Sequence, residues 1–399
     1  MGRVISSTVN PYWLALLSCE GVGGRTFFKV KNFLHQQQLS WAEFWVNKFN
    51  LWQQVGLNKR QVKSIKNFKK EYTIESYLAS LQAQDIWVIS YQDSAYPWLL
   101  KELEDKPVLL FGRGDRQLLT KLNHHQLPIG VVGTRQITHY GIQATQKITQ
   151  ELVSLNCLIV SGFMYGVDVT AQQQALKSGG YTIGILGFGF EKMFPASHRS
   201  IFTQMLEKGA IFLTEYSPKT PGKKGNFVQR NRIIAGLSLG VLVVEAASKS
   251  GSLITANYTV DYGREVFAVP GPINNPYSEG TKALLNQGAT LVSSGQEIVR
   301  QLQAQLSSNY QAKYLSSSKP DEMSQIQRSK PGVQMRLLEF DSPLQKQLHE
   351  FLQTTTASSN QLSQRFQQPI GQINTLLGLL EAQGWLKRKG EVWVCVDKF

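Results

Sequence analysis

The sequence predicts an α/β protein whose centre is a doubly wound, mostly parallel sheet, with a helical domain before it and a winged helix after it. Three observations favour this fold class. Apolar residues recur at helical spacing before about residue 86, short apolar runs then alternate with helical segments, and three further helical segments precede a hairpin pattern. Strands that are apolar throughout are typical of parallel sheets covered by helices on both faces.

Helical spacing of apolar residues predicts a small domain over residues 1–85. Leu17 is followed by a glycine-rich turn at 21–24, which resembles the helix-hairpin-helix of a SAM-like domain. Some hairpins of this kind present backbone N–H groups to a phosphate, and others serve only as packing units. Both roles are open for this hairpin.

Seven apolar runs between residues 86 and 300 predict the strands of the central domain. They cover 129–132, 158–160, 182–186, 211–213, 241–244, 266–269 and 290–292. The helical segments between them cover 140–155, 166–178, 197–208, 252–262 and 280–287. Right-handed crossovers through such helices make the sheet doubly wound.

The region after the sheet divides into two parts. Residues 301–335 are rich in Ser, Gln and Lys and poor in apolar residues, which predicts a flexible linker. Residues 336–399 predict the winged helix, because three helical segments are followed by a hairpin. These elements cover 342–354, 358–366, 369–383 and 385–394.

Composition restricts the partners and the compartment. The chain has 42 lysines and arginines against 28 acidic residues, a net charge of +14. That excess favours nucleic acid or an anionic membrane surface, although a basic surface can also lack such a partner. The distant cysteines Cys19, Cys157 and Cys395 indicate neither a disulfide framework nor a zinc site and fit a reducing cytoplasm. No apolar run approaches the roughly 18 residues of a membrane span, so we expect no membrane association.

A Gly-Thr-Arg motif follows the first predicted strand and precedes a helix. Ligands of such sheets bind at the carboxyl ends of the strands. Gly133 lets backbone N–H groups approach an anion, Thr134 lies beside it, and the Arg135 guanidinium can hold a phosphate with two hydrogen bonds. The alternative is an ordinary tight turn between a strand and a helix.

The next strand ends in a similar way, at Ser161 and Gly162. Two adjacent turns of this kind would form one anion pocket. Asp168 begins the following helix, where we expect its carboxylate to cap free N–H groups rather than to act in catalysis. Ser250 or Ser252 is expected to cap a later helix.

A basic cluster with one aromatic residue and one amide lies between residues 219 and 232. Its members are Lys219, Lys223, Lys224, Phe227, Arg230, Asn231 and Arg232. Cations bind phosphates, and an aromatic ring can stack on an unpaired base. The alternative is a solvated basic loop with Phe227 in the core and with Arg232 paired to Glu245.

Signals of catalysis are weak. The sequence contains neither a P-loop nor a nucleophile elbow, and its six histidines lack the spacing of metal ligands. We therefore expect no enzyme activity, no cofactor and no metal. Glu215 and Glu245 both end predicted strands, so a nucleotide or nucleoside-phosphate hydrolase with paired carboxylates is the alternative.

Several blocks resemble, in order, the DNA-processing protein A family, also called Smf. They are VVGTR at 131–135, SGFMYGVD at 161–168, TIGILGFGF at 182–190, LTEYSP at 213–218, FVQRNRIIAGLS at 227–238, VVEAASKSGSLITA at 243–256 and GREVFAVPGPI at 263–273. The resemblance implies an extended Rossmann-like fold that binds single-stranded DNA without catalysis. It also implies protection of incoming DNA in natural transformation, loading of RecA recombinase, and a cytoplasmic homodimer formed through the Rossmann-like domain.

The same resemblance implies which residues contact DNA. Those expected to line the phosphate pocket are Gly133, Thr134, Arg135, Ser161 and Gly162. Those expected to meet the strand are Lys223 or Lys224, Phe227, Asn231 and Arg232, with Arg230 in the same cluster. The chain departs from the family where Ala, Arg, His and Pro are usual, at Met164, Tyr165, Gln172 and Val228 respectively.

Overall fold

A computed structural model describes most of the chain. Outside the described residues lie 1–5, 7, 47–49, 125–126, 310–343, 345–346, 349–350, 353–354, 383–385, 390–391 and 396–399. The chain forms two compact units, Met1–Lys319 and Pro320–Phe399. Among the described residues, no helix is both long and apolar enough to cross a membrane.

Six helices precede the first strand among the described residues. They are α1 Pro11–Leu17, α2 Gly24–Gln36, α3 Trp41–Val46, α4 Asn50–Gln54, α5 Lys59–Glu71 and α6 Ile74–Ala83. The side chains of Asn10, Asn58 and Thr73 accept N–H bonds at the starts of α1, α5 and α6, which satisfies donors that a helix leaves free. The Phe27 ring lies 5.1 Å from that of Trp13, and both belong to a core shared with the sheet.

Nine strands form the central sheet. They are β1 Trp87–Ser90, β2 Leu109–Arg113, β3 Leu127–Val132, β4 Cys157–Ser161, β5 Thr182–Ile185, β6 Ile211–Thr214, β7 Gly240–Val243, β8 Glu265–Ala268 and β9 Thr290–Leu291. The spatial order is β1-β2-β6-β5-β4-β3-β7-β8-β9. From β6 to β9 all neighbours pair in parallel, whereas β1 and β2 pair antiparallel at one edge. All seven predicted strands are confirmed, and the antiparallel strands β1 and β2 are additional.

The direction of winding reverses between β3 and β7. The chain passes from β3 through β4 and β5 to β6 on one side, and then from β7 through β8 to β9 on the other. A reversal of this kind leaves a crevice at the carboxyl ends of the two central strands, where ligands of doubly wound sheets bind. The turn at 133–135 follows β3 and therefore borders this crevice.

In the part of the chain that the structure describes, nine helices accompany the sheet. They are α7 Trp98–Lys101, α8 Gln117–His124, α9 His139–Ser154, α10 Val167–Lys177, α11 Arg199–Glu207, α12 Lys224–Leu237, α13 Gly251–Asp261, α14 Glu279–Asn286 and α15 Gly295–Asn309. Short 3-10 turns at Ala196–His198 and Pro276–Ser278 precede α11 and α14. Apolar residues of α9, α10 and α15 pack on one face of the sheet, and those of α12 and α13 on the other.

The predicted linker begins too early. Residues 301–309 continue α15, although their composition resembles that of a linker. Ile298, Val299 and Leu302 are buried against β3 and α9, which explains why the helix persists. The rest of the predicted linker, 310–335, lies outside the described residues.

The described part of the second unit includes two longer helices and a small sheet. Its elements are β10 Ala357–Ser358, α16 Ser359–Phe366, α17 Ile370–Ala382, β11 Leu386–Lys389 and β12 Val392–Cys395. The three strands pair antiparallel in the order β10-β12-β11. Leu352, Leu362, Ile373, Leu377 and Trp393 form its core.

Candidate functional site

The turns that follow β3 and β4 are in contact. Val167 N donates a hydrogen bond to Thr134 O at 3.2 Å. Gly166 has φ of +77°, and a Cβ there would lie 2.2 Å from Thr134 O and 2.9 Å from Arg135 Cα. Only glycine fits so close an approach in this left-handed conformation. The two predicted glycine turns therefore form one continuous surface.

Within the first turn, Arg135 is exposed and Thr134 is buried. Thr134 N donates to Glu245 O at 2.7 Å, so this amide is committed to the turn after β7. A Cβ at Gly133 would lie 2.8 Å from the same carbonyl oxygen, which shows why glycine is needed there. Gly133 and Thr134 thus hold the turn in place, and Arg135 supplies the accessible charge.

Ser161 and Gly162 form the floor of the site and do not reach its surface. Both are buried, and Ser161 Oγ donates to Val131 O at 2.6 Å. A Cβ at Gly162 would lie 2.1 Å from Arg230 Nη1 and 2.5 Å from Asp168 Oδ2. The missing side chain of Gly162 leaves the space that the Arg230 guanidinium and the Asp168 carboxylate occupy.

Arg230 and Asp168 are a buried pair of opposite charges beneath the two turns. Arg230 is 3% exposed and Asp168 is 7% exposed. Burial raises the pKa of Asp168 to about 6, although the Arg230 guanidinium acts in the opposite direction. Burial likewise lowers the pKa of Arg230 to about 10, with Asp168 opposing that shift. Arg230 Nη1 also donates to Ile185 O.

The expectation that Asp168 caps its helix is wrong. The N-cap of α10 is Gly166, and Asp168 lies inside the first turn. Its carboxylate accepts a hydrogen bond from the Met164 backbone and faces Arg230. The expected cap of α13 is confirmed, because Ser250 Oγ accepts from Ser252 N at 3.4 Å.

Helix α12 separates the predicted basic cluster into different surroundings. Lys224, Phe227 and Asn231 are exposed or half-buried. Phe227 follows Lys224 by three residues and Asn231 follows it by seven, so all three lie on one helical face. Arg230, Ile233, Ile234 and Leu237 are among the buried residues of this helix. The spacing of these buried residues is typical of a helix, although α12 is not among the helices predicted from the sequence.

Arg232 forms ion pairs that differ from the predicted one. Its Nη2 lies 2.5 Å from Glu215 Oε2, and its Nε lies 3.6 Å from Asp105 Oδ2. The predicted pairing of Arg232 with Glu245 is therefore wrong. Glu245 instead accepts hydrogen bonds from Thr138 N and Oγ1 and from Asn275 Nδ2.

Two lysines of the cluster contact acidic residues of the N-terminal helices. Lys219 pairs with Glu71, and its Nζ lies 4.9 Å from the centroid of the Tyr72 ring. Lys223 Nζ lies 3.0 Å from Glu20 Oε1. Lys224 is exposed, and no ion pair joins it to another residue in the described part of the chain.

An aromatic ring connects Arg135 with α12. The Arg135 guanidinium lies over the Phe227 ring, 5.8 Å from its centroid. A Cβ at Gly187 would lie 2.7 Å from Phe227, so the glycine-rich segment after β5 makes room for this ring. Asn231 Nδ2 donates to Gly251 O at 3.1 Å, which links α12 to the start of α13.

The four departures from the family pattern have different surroundings. Met164 and Gln172 are buried, and Val228 is half-buried on α12. Tyr165 is exposed, and its hydroxyl lies 2.6 Å from Ser197 Oγ. Among the described residues, no group of three or more His, Cys, Asp or Glu could hold a metal ion.

Comparison with known proteins identifies the family. The family model of DNA recombination-mediator protein A matches residues 87–303. The chain is 41% identical over 225 residues to DNA processing protein DprA of Bacillus subtilis, covering 56% of this chain and 74% of the relative. It is 36% identical over 291 residues to protein Smf of Escherichia coli, covering 73% of this chain and 74% of the relative.

A solved structure agrees with these relatives. The crystal structure of DprA from Streptococcus pneumoniae superposes with a TM-score of 0.61 at 31% identity, covering 73% of this chain and 98% of that chain. The family match at 87–303 spans all nine strands of the central sheet. The chain belongs to the DNA recombination-mediator protein A family, whose members are named DprA or Smf.

Proposed function

We propose that this chain binds single-stranded DNA at the carboxyl edge of its sheet and does not act as an enzyme. Arg135 and Lys224 bind phosphates, and Phe227 stacks on a base. The observation that supports this assignment is the exposed Arg135 guanidinium above the Phe227 ring. A cation and an aromatic face at one place match the two chemical parts of a nucleotide.

Two neighbouring aromatic rings hold the Phe227 ring in place. Phe227 lies 6.3 Å from Phe188 and 5.3 Å from Phe194, measured between ring centroids. Neighbouring rings restrict its rotation, so little conformational entropy is lost when a base binds. A base inside a duplex has no free face, and this arrangement therefore favours unpaired strands.

The other predicted residues are assigned supporting roles. Those that shape the two turns are Gly133, Thr134, Ser161, Gly162 and Arg230. Those at the rim of the proposed interface are Lys223, Asn231 and Arg232, which have protein partners in the free chain. Phosphates would compete with those partners rather than meet free side chains.

The hydrolase alternative receives little support from the geometry. Glu215 follows β6 and Glu245 follows β7, and three strands separate β6 from β7 in the sheet. At about 4.8 Å per strand spacing, their strand ends lie roughly 19 Å apart. Both carboxylates also have committed partners. Carboxylates so placed do not form an acid and base pair around one bond.

We further propose a role in DNA processing during natural transformation. Relatives are named for DNA processing, and the family for recombination mediation. The proposal includes a helix-hairpin-helix N-terminal domain, a C-terminal winged helix, RecA recombinase as a partner and a cytoplasmic location. It also includes a homodimer, which the exposed Leu291 on the edge strand β9 supports.

Replacement of Arg135 tests the proposed DNA interface. For Arg135→Ala we expect the affinity for oligo-dT, measured by fluorescence anisotropy, to fall about 10- to 150-fold, because one charge-assisted phosphate contact is lost. The slope of log K against log salt should become shallower by about 0.7. Thermal unfolding should be unchanged, since the side chain is exposed.

Arg300→Ala is the matched control, because Arg300 is an exposed arginine on α15. It should leave both the affinity and the salt slope unchanged. Equal losses in the two variants would mean that only the overall charge matters, and the assigned interface would then be incorrect.

A further inference from the structure

Two large exposed aromatic side chains at the carboxyl edge have not been assigned a contact with DNA above. Phe194 is 42% exposed and Tyr165 is 45% exposed. Tyr165 lies in the turn after β4, and Phe194 lies between β5 and α11. Exposed rings close to a binding surface are candidates for contact with a partner, because apolar area in water is unfavourable.

Contacts connect both rings to Arg135. Gly166, which follows Tyr165, packs against Arg135, as its close approach to the Arg135 Cα shows. On the other side, the Arg135 guanidinium lies over Phe227, whose centroid is 5.3 Å from that of Phe194. The hydroxyl of Tyr165 meets Ser197 in the segment that also contains Phe194. These contacts link Tyr165, Arg135, Phe227 and Phe194 in one continuous series.

The Tyr165 and Phe194 rings both pack against other residues of the protein. The Tyr165 ring lies edge-on to His198, with 4.5 Å between centroids, and His198 is buried against Phe163. Phe194 is inclined at 46° to Phe227, and a Cβ at Gly222 would lie 3.4 Å from the Phe194 Cβ. Rings held in this way present a face to the outside without having to be ordered on binding.

We propose that Phe194 and Tyr165 are further base-stacking residues, which hold nucleobases of single-stranded DNA next to the phosphate bound by Arg135. The proposal rests on the proposed function and adds where the bases bind. Stacking on a ring face does not depend on base identity, so these residues add affinity without sequence preference. Arg135 binds a phosphate, whereas Phe194 and Tyr165 respond only to the base.

The test compares oligo-dT with an abasic deoxyribose-phosphate oligomer of the same length. Phe194→Ala and Tyr165→Ala should each weaken oligo-dT binding about 5- to 150-fold and leave binding of the abasic oligomer unchanged. Phe194→Leu keeps an apolar side chain and lacks a ring face, so it should behave like Phe194→Ala. Tyr165→Phe keeps the ring and should retain most of the affinity.

Each other outcome counts against the proposal. If either alanine variant binds oligo-dT as the natural chain does, or weakens both oligomers equally, that residue does not stack on a base. Unchanged abasic binding by the variants also serves as the control for folding. Natural protein that binds neither oligomer would contradict the proposed function itself, a result distinct from failure of the stacking residues alone.

Discussion

Two arginines at the same edge of the sheet have different roles because only one of them is buried. Arg135 is exposed, and Arg230 is almost completely buried beside Asp168. Burial of a guanidinium is costly unless a negative charge lies nearby, and Asp168 supplies that charge. Arg230 therefore stabilises the turns from below, while Arg135 is available to a ligand.

Arg232 is expected to act mainly on stability. It is 14% exposed and pairs with Glu215, which is 19% exposed. Arg232→Ala should lower the free energy of unfolding by about 3 kcal/mol, measured by urea denaturation, because the Glu215 carboxylate would be left buried without a cation.

The double variant Arg232→Ala with Glu215→Gln should recover part of that loss, since no unpaired charge is left. A single variant that unfolds like the natural chain and yet loses DNA affinity would instead identify Arg232 as a direct DNA contact.

The raised pKa of Asp168 makes the free energy of unfolding depend on pH. Because burial raises its folded pKa from 3.8 to about 6, the folded chain holds this proton more tightly than the unfolded chain. The contribution of Asp168 to the free energy of unfolding is complete below pH 3.8 and is lost as the pH rises through about 6.

The comparison with Asp168→Asn isolates this contribution. The unfolding free energy of the natural chain minus that of the variant should fall by up to about 3 kcal/mol between pH 4 and pH 6.5. Chemical denaturation at a series of pH values measures it. A difference that increases over this range would show that the Asp168 pKa is depressed instead.

At the scale of elements, α12 and the segment before it connect two parts of the first unit. The buried face of α12 packs under the sheet, whereas Lys219 and Lys223 reach α5 and the hairpin between α1 and α2. The N-terminal segment thereby neutralises Lys223 at the rim of the proposed DNA interface and Lys219, four residues before it. Phosphates must replace Glu71 and Glu20 to reach these lysines.

Removal of those two acids should strengthen DNA binding. For the double variant Glu20→Gln with Glu71→Gln we expect a roughly two- to five-fold gain in oligo-dT affinity at low salt, because Lys219 and Lys223 become available. The gain should disappear at high salt, where exposed charges are screened.

The matched control is Glu75→Gln with Glu104→Gln, which changes the net charge equally at exposed acids outside the observed ion pairs. Equal gains in both double variants would show that net charge alone is responsible. Anisotropy titrations at two salt concentrations separate the two explanations.

For the whole molecule, all proposed DNA contacts belong to the first unit. That unit includes α15, which ends at Asn309 and buries Ile298 and Leu302. A chain of residues 1–309 should keep its oligo-dT affinity within about two-fold, a difference typical of independent parts of a protein. Isothermal titration of the two chains measures this.

A chain of residues 1–300 provides the contrast. It should unfold at a lower temperature, because it removes Leu302 from the core and shortens α15. A large affinity loss in the well-folded 1–309 chain would instead assign DNA contacts to the second unit.

Much of the fold follows from local pattern. The seven parallel strands are mainly apolar because helices cover both faces of the sheet, and this pattern is visible in each run of residues. The short antiparallel strands β1 and β2 were not identified, since short apolar runs fit a helix as well as a strand. Their pairing partners are distant in sequence, and pairing alone distinguishes them.

The sequence by itself determined the family, the succession of the seven central strands along the chain and the position of Arg135 in a turn after β3. Only the tertiary structure decided which cations of the basic cluster face outward. Arg230 meets a residue 62 positions away at Asp168, and Lys223 meets one 203 positions away at Glu20. Charge and spacing are local properties of a sequence, whereas burial depends on which distant segments pack together.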